Sequence, residues 1–329
     1  DDCGSRPVPL NGQGYWGAVV GDLLTCVEDA PDVDATMPTS VQRPTRPREL
    51  QDSLNFHLYH PLAWRLALLL AKTPLTPNMV SVTGACFVVA AGIVYAMTYF
   101  NSWGWPGALL GMFLHMSWHV VDGADGDLAR ITGRTSPLGE LVDGVCDYTS
   151  HIILYLILGW MLAHQIGGIA WWIMLAAGVS HFIQANHCEV QRRQYQWWVY
   201  RVPWLRNTHQ GETRTGRFGF AEIVSGYLSL ASGMTPDALK VDAAAEAAQA
   251  NPAAIERIAV AARAEAMPLL PVLKVLGPNP RAILLGLSML AGGPLYYFLY
   301  QTLVLNGVLI ASVMMQNAAA RRIAAKIAV

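Results

Sequence analysis

This 329-residue sequence predicts an all-α integral membrane protein of six transmembrane helices, with an interfacial helix before them and a cytoplasmic insertion between the fourth and fifth. Composition comes first: 53% of residues are hydrophobic and 14% charged, against about a quarter charged in a soluble domain. Second, apolar stretches long enough to cross a bilayer, about 20 residues each, recur at roughly 79–99, 106–126, 138–163, 168–187, 281–299 and 302–318. Third, basic residues alternate with these stretches. The connections 100–105, 164–167 and 300–301 hold no Lys or Arg. The remaining connections and the C-terminus carry Arg65, Lys72, Arg130, Arg134, Arg192, Arg193, Arg201, Arg321, Arg322 and Lys326. Positive charge is retained on the cytoplasmic side, which predicts cytoplasmic termini.

Residues 1–50 are rich in Pro, Gly and Asp without a sustained apolar period and read as a polar leader, with a short ordered piece around Tyr15–Val27. Residues 51–200 then carry the interfacial helix (51–72) and the first four spans. The turn Thr76-Pro77-Asn78 marks a helix start ahead of the first span. Residues 201–280 form the insertion, whose Ala/Glu-rich part (237–266) is helical in composition, and 281–329 carry the last two spans and a basic end. Tyr99, Phe100, Trp103, Trp105, Trp171 and Trp172 mark an aromatic belt at the side without basic loops. A net charge of −1 offers no field for nucleic acid, and the cysteines include no C-x-x-C pair.

The chemistry concentrates in Asp122–Asp147, DGADGDLARITGRTSPLGELVDGVCD. Acids in a membrane segment are costly and mark function. Asp122 and Asp125 stand at i, i+3, and Asp143 and Asp147 at i, i+4, so each pair shares a helix face. A short turn makes the two helices antiparallel neighbours, and the four carboxylates converge at the cytoplasmic end. Like charges that close require a cation, and hard oxygen donors select Mg²⁺, Mn²⁺ or Ca²⁺ over zinc. Mg²⁺ or Mn²⁺ in turn favours a diphosphate substrate. Gly123, Gly126, Ala129 and Gly139 leave room for close approach of a ligand, and Arg130 can clamp a phosphate. Asp127 lies between the pattern positions and reads as a solvated or salt-bridged acid.

Asp122, Asp125-Gly126, Ala129-Arg130, Gly139, Asp143 and Asp147 match the D-x2-D-G-x2-A-R-x8-G-x3-D-x3-D pattern at every position. In this the sequence resembles the CDP-alcohol phosphotransferases, over roughly 51–200 and the last two spans. The resemblance implies that an acceptor hydroxyl attacks a CDP-linked donor on the phosphorus away from cytidine, releasing CMP. It also implies two divalent ions, Mg²⁺ or Mn²⁺, held by Asp122, Asp125 and Asp143, with Asp147 as general base and a possible further ligand. Asp122, Gly126, Ala129, Arg130 and Gly139 would bind the CDP moiety, and a homodimer is expected.

Beside the motif, His115 and His119 precede Asp122 at metal-compatible spacing but read as hydrogen-bonded packing residues within a span. His151 follows Asp147 by one helical turn and would tune the base or touch the acceptor; Glu189, Arg192 and Arg193 would form an acceptor pocket or a lipid-facing basic edge. The Arg192-Arg193 pair favours CDP-diacylglycerol with an anionic acceptor. The string Ser136-Pro137-Leu138-Gly139-Glu140-Leu141 resembles choline and ethanolamine phosphotransferases, which use a small CDP-aminoalcohol and a lipid hydroxyl. An ion-coupled transporter would spread its acids across spans and depths, whereas these cluster at one face.

Overall fold

The computed structural model describes residues 43, 46–204, 226, 229–230 and 232–328. The leader's expected ordered piece around Tyr15–Val27 lies outside the described residues. Among the described residues the regular structure is entirely helical. A π-turn at Asn55–Tyr59 runs into α1 (His60–Leu70). Then follow α2 (Pro77–Phe100), α3 (Gly104–Thr132), α4 (Pro137–Ile166) and α5 (Ile169–Tyr200). The insertion supplies α6 (Ala238–Ala247), α7 (Pro252–Glu265) and α8 (Leu270–Val275). The chain ends with α9 (Pro278–Leu290), α10 (Leu295–Leu299), a π-turn at Tyr300–Val304 and α11 (Leu305–Ile327).

Local chemistry sets these boundaries. Pro77 opens α2 behind Thr76, whose Oγ1 accepts the Met79 N–H at 3.3 Å. Gly133, at φ 67°, ends α3 in the left-handed conformation that glycine adopts without strain, and the Arg134 N–H returns to the Ala129 carbonyl at 2.9 Å. Ser136 then caps α4 by accepting the Gly139 N–H at 3.0 Å, with Pro137 at the first helical position. The motif therefore sits on two capped helices joined by a four-residue turn.

Among the described residues, three helices are both long and apolar enough to cross a membrane: Pro77–Phe100, the Val142–Ile166 part of α4, and Leu295–Ile327 through α10 and α11. The helices α3 and α5, at 29 and 32 residues, have the length. They fall short in apolarity because they carry buried polar side chains, His115, His119, Asp125 and Asp127 on α3, Gln184, His187, Gln191 and Gln194 on α5. The last two expected spans are placed differently. The chain turns at 291–294, not at 300–301, because Gly292 (φ 108°) and Gly293 (φ 158°) take positive φ before Pro294, and the helix runs without a break through the π-turn. As a result α9 is only 13 residues long, and the predicted span 281–299 is not one helix. The helix α5 also continues past 187 to Tyr200.

The turns at 101–103, 167–168 and 291–294 meet at one end. Phe100 packs on Trp160 and His164, with ring centroids 4.5 and 5.1 Å apart, and Gln165 Nε2 donates to the Gly292 carbonyl at 3.1 Å. Tyr99, Phe100, Trp103, Trp105, Trp171 and Trp172 are all exposed there. Between the ends, Ile93, Ile152, Leu156, Leu175, Val179, Ile310 and Met314 point outward, as lipid-facing side chains do.

Lipid removes the hydrophobic drive between helices, so close packing of small residues must hold them. At the α2–α3 contact a Cβ on Gly111 would lie 2.6 Å from the Tyr95 ring, which is fully buried. Replacing Gly111 with Leu is expected to destabilise the bundle by about 1–3 kcal/mol or more, the usual range of overpacking. Thermal unfolding in detergent checks this, and an unchanged midpoint would contradict the packing. A second core lies outside the bundle. Residues Val241, Ala245, Ile258 and Ala262 of the insertion pack with Tyr195, Trp198 and Val199 of α5 and Ile323 of α11. Buried Asp242 accepts from Trp198 Nε1 at 2.7 Å and Gln194 Nε2 at 2.9 Å. Arg322 and Lys326 hold Glu265, and their hydrogen bonds keep its carboxyl below the usual range. The 237–266 stretch is thus two helices docked on the ends of α5 and α11.

Candidate active site

The α3–α4 hairpin brings the motif carboxylates together. Asp122 and Asp147 stand within electrostatic reach of one another across the two helices, and Asp143 within reach of Asp122, Asp125 and Asp147. Asp125 is buried, 6% exposed, and accepts from Ser81 Oγ at 2.6 Å and from the Gly126 N–H. Asp147 accepts from Trp118 Nε1 at 3.1 Å. Thus α2 steadies the first aspartate pair through Ser81, and α3 itself steadies Asp147 through Trp118. Neither residue was singled out from sequence. Their signals were weak: Ser81 is one turn beyond Pro77 on the helix that starts at Thr76, and Trp118 is one turn before Asp122.

A cavity of about 150 Å³ opens beside this cluster. It is lined by Asp125, Gly126, Ala129 and Arg130 from α3, by Gly139 and Asp143 from α4, and by Asn78 and Ser81 from α2. Arg134 and Ser136 of the intervening turn complete it. Four of the residues assigned by resemblance to CDP therefore face one space, while Asp122 and Asp147 lie outside its lining. A Cβ at Gly126 would come no closer than 3.6 Å to the Arg130 guanidinium, so packing within the chain does not demand glycine there. The demand for a small residue must come from whatever enters the cavity.

Arg130 lines the cavity, but it also pairs with Asp127 at 2.5 Å, and Arg46 reaches the same Asp127 oxygen at 3.3 Å. Asp127 is buried, 2% exposed, and is a salt-bridged acid. Its two arginines neutralise it, whereas among the described residues neither Lys nor Arg forms an ion pair with Asp122, Asp125 or Asp147. Clustered carboxylates that no basic side chain pairs with fit a hard divalent cation. Among the described residues, however, no three His, Cys, Asp or Glu side chains close to metal-binding distance. The donor chemistry fits; the carboxylates as placed must draw in to complete a coordination shell.

His115 and His119 are buried and ring-packed on Trp118, with centroids 6.3 and 4.5 Å away. They are packing residues, though His115 Nδ1 and His119 Nε2 find no hydrogen-bond partner. His151 donates from Nδ1 to the Asp147 carbonyl at 2.8 Å, which leaves Nε2 as its acceptor nitrogen, and its ring meets Trp118 at 4.8 Å. Glu189, Arg192 and Arg193 form their own cluster on α5. Arg192 is bidentate to Glu189 at 2.9 Å on each oxygen, and Arg193 Nε reaches it at 2.6 Å.

With this geometry in hand, residues 74–201 match the family model described as CDP-alcohol phosphatidyltransferase. That segment is similar to the CDP-alcohol phosphatidyltransferases. The matched stretch starts just before α2 and ends one residue past α5, so the family core includes the helix that brings Ser81. Among its relatives, a CDP-alcohol phosphatidyltransferase class-I family protein of Schizosaccharomyces pombe is 32% identical over 97 residues, 27% of this chain and 24% of that protein. Cholinephosphotransferase 1 of Saccharomyces cerevisiae is 32% identical over 100 residues, covering 29% and 24%. Cholinephosphotransferase 1 of Xenopus laevis is 30% identical over 123 residues, covering 35% and 29%. The chain thus spans about a quarter of the length of these relatives.

Proposed function

We propose that this protein is a membrane phosphotransferase that moves the phospho-alcohol group of a CDP-alcohol to a lipid hydroxyl and releases CMP. The observation that carries the reading is the cavity that Gly126, Ala129, Arg130 and Gly139 line together with Asp125 and Asp143. The acceptor oxygen forms a new bond to the phosphorus distal to cytidine. The bond from that phosphorus to the bridging oxygen breaks, and the oxygen leaves with CMP. Asp147, oriented by Trp118, accepts the hydroxyl proton. Asp122, Asp125 and Asp143 would hold the Mg²⁺ or Mn²⁺, two ions by family resemblance. The metal, when bound, neutralises charge on the transferring group. Gly126, Ala129 and Gly139 make room for the nucleotide and diphosphate, and Arg130 binds phosphate. His151 stands beside the acceptor.

Two features favour a small CDP-aminoalcohol donor and a lipid acceptor over CDP-diacylglycerol. Relatives carry the name cholinephosphotransferase. Arg192 and Arg193, the reason to expect an anionic acceptor, are both closed on Glu189. The chain would cross the bilayer six times, by α2, α3, α4, α5, the 13-residue α9 together with the residues that flank it, and the α10–α11 helix. The aspartates and the basic C-terminus would face the cytoplasm.

Purified protein in liposomes with Mg²⁺ or Mn²⁺ should release CMP from CDP-choline or CDP-ethanolamine only when diacylglycerol is present. Release only from CDP-diacylglycerol with a water-soluble alcohol would reverse the donor assignment. Silence with every CDP-alcohol from folded protein would end the transferase reading.

A further inference from the structure

Inside the bundle, away from the aspartates, sits a cation that no carboxylate among the described residues answers. Arg281 lies in the first turn of α9 and is only 4% exposed. Its Nη2 donates to Gln184 Oε1 at 3.1 Å, while its Nε is buried without a partner. The groups that act on it most strongly are Tyr297, Tyr155, Cys188 and Tyr300, none of them a carboxylate. Gln184 cannot turn to give more: its Oε1 also accepts from Gln301 at 2.6 Å, and its amide is spent on the Gln301 carbonyl and Asn306. A buried guanidinium with an idle N–H is among the most expensive groups a membrane bundle can hold, so its retention points to a ligand.

Its position names the ligand's chemistry. Asp147, His151 and Tyr155 follow one another at four-residue spacing on one face of α4. Arg281 lies within electrostatic reach of both His151 and Tyr155. Its partner Gln184 stands three residues from His181 on α5, and His181 is hydrogen-bonded to Tyr155, so Arg281 lies level with the His151–Tyr155 stretch of α4, about 6–12 Å beyond Asp147 toward the turns without basic residues. Tyr155 is tied to His181 Nδ1 at 2.9 Å and to the Tyr297 hydroxyl at 3.1 Å, which makes that wall polar and rigid. A group reaching this depth from a reacting oxygen at Asp147 must be an acceptor on an otherwise apolar molecule. The ester carbonyls of a diacylglyceryl backbone, a few bonds from its hydroxyl, meet that description.

We propose that Arg281 is the lipid-specificity residue of this protein, donating from its free Nε–H to an ester carbonyl of the diacylglyceryl group while the lipid hydroxyl lies at Asp147. This rests on the transferase reading above. The bond is made to an oxygen remote from the reacting atoms, so it contributes to lipid binding and not to the chemical step.

The test compares a diacylglycerol with the dialkyl-ether glycerol of the same chains. Wild-type, Arg281→Met and Arg281→Lys protein in liposomes are assayed in two ways: KM and kcat by CMP release, and capture of photoreactive diester or diether glycerol without any CDP-alcohol. Wild type should favour the diester by about tenfold in KM, the size of one charge-assisted hydrogen bond. Arg281→Met should lose that preference, with kcat and the diether KM within about twofold, and Arg281→Lys should retain part of it. Equal use of diester and diether by wild type would overturn the proposal, and so would equal losses for both lipids in Arg281→Met. Should Arg281→Met fail to fold, the wild-type preference and Arg281→Lys still decide. Arg281-dependent capture of the diester without CMP release from any donor would uphold the carbonyl site and sink the transferase reading. Robust CMP release without ester preference would do the reverse.

Discussion

Asp147→Asn should lower kcat for CMP release by about 10²–10⁴-fold, the range for removing a positioned general base, with the KM for lipid little changed. The expectation follows from how Asp147 is held. Trp118 Nε1 donates to its Oδ1, and an asparagine oxygen can still accept that bond, so the side chain stays in place. His151 holds the backbone carbonyl of residue 147, which the substitution leaves untouched. What is lost is the ability to take the proton from the acceptor hydroxyl. Steady-state kinetics in liposomes at saturating metal and donor read the effect. Activity within tenfold of wild type would remove Asp147 from the role of base.

Asp125→Asn should be nearly as severe, on the order of 10²–10³-fold in rate, as expected when one preorganised charge is taken from a transition state. Ser81→Ala should be milder and different in kind. Its hydroxyl donates to Asp125 at 2.6 Å from the neighbouring helix, the arrangement by which an outer hydrogen bond orients a ligating carboxylate. Losing it should weaken activating Mg²⁺ or Mn²⁺ by about 10–100-fold, and excess metal should restore most of the rate. Metal-activation curves for the two variants separate these effects. A Ser81→Ala enzyme with an unchanged midpoint and a lower plateau would show that Ser81 does not act through the hold of Asp125 on the cation.

Much of the candidate site's arrangement was legible in the residues alone because its logic is local. The spacing of Asp122, Asp125, Asp143 and Asp147 places each pair on one helix face. Gly133, Ser136 and Pro137 make the turn that sets the two helices antiparallel. Helical period and turn chemistry operate within a few residues, so they survive in a linear reading. The same holds for the membrane character, since an apolar run long enough to cross a bilayer is written in consecutive residues.

What needed the folded chain were contacts between residues far apart in sequence. Nothing local pairs Ser81 with Asp125, 44 residues on, or Trp118 with Asp147, 29 on. Arg46 crosses 81 residues to join Arg130 on Asp127, which turns a basic loop into a neutralised cluster. The last turn was misplaced because hydropathy runs unbroken from 281 to 318, and only two glycines at positive φ decide where the backbone folds back. Arg281 is the sharpest case: in sequence it is one more basic residue at a helix start. Only its enclosure in the bundle beside Gln184 makes it a buried charge in need of a partner, because burial is a property of the assembled bundle and not of any one segment.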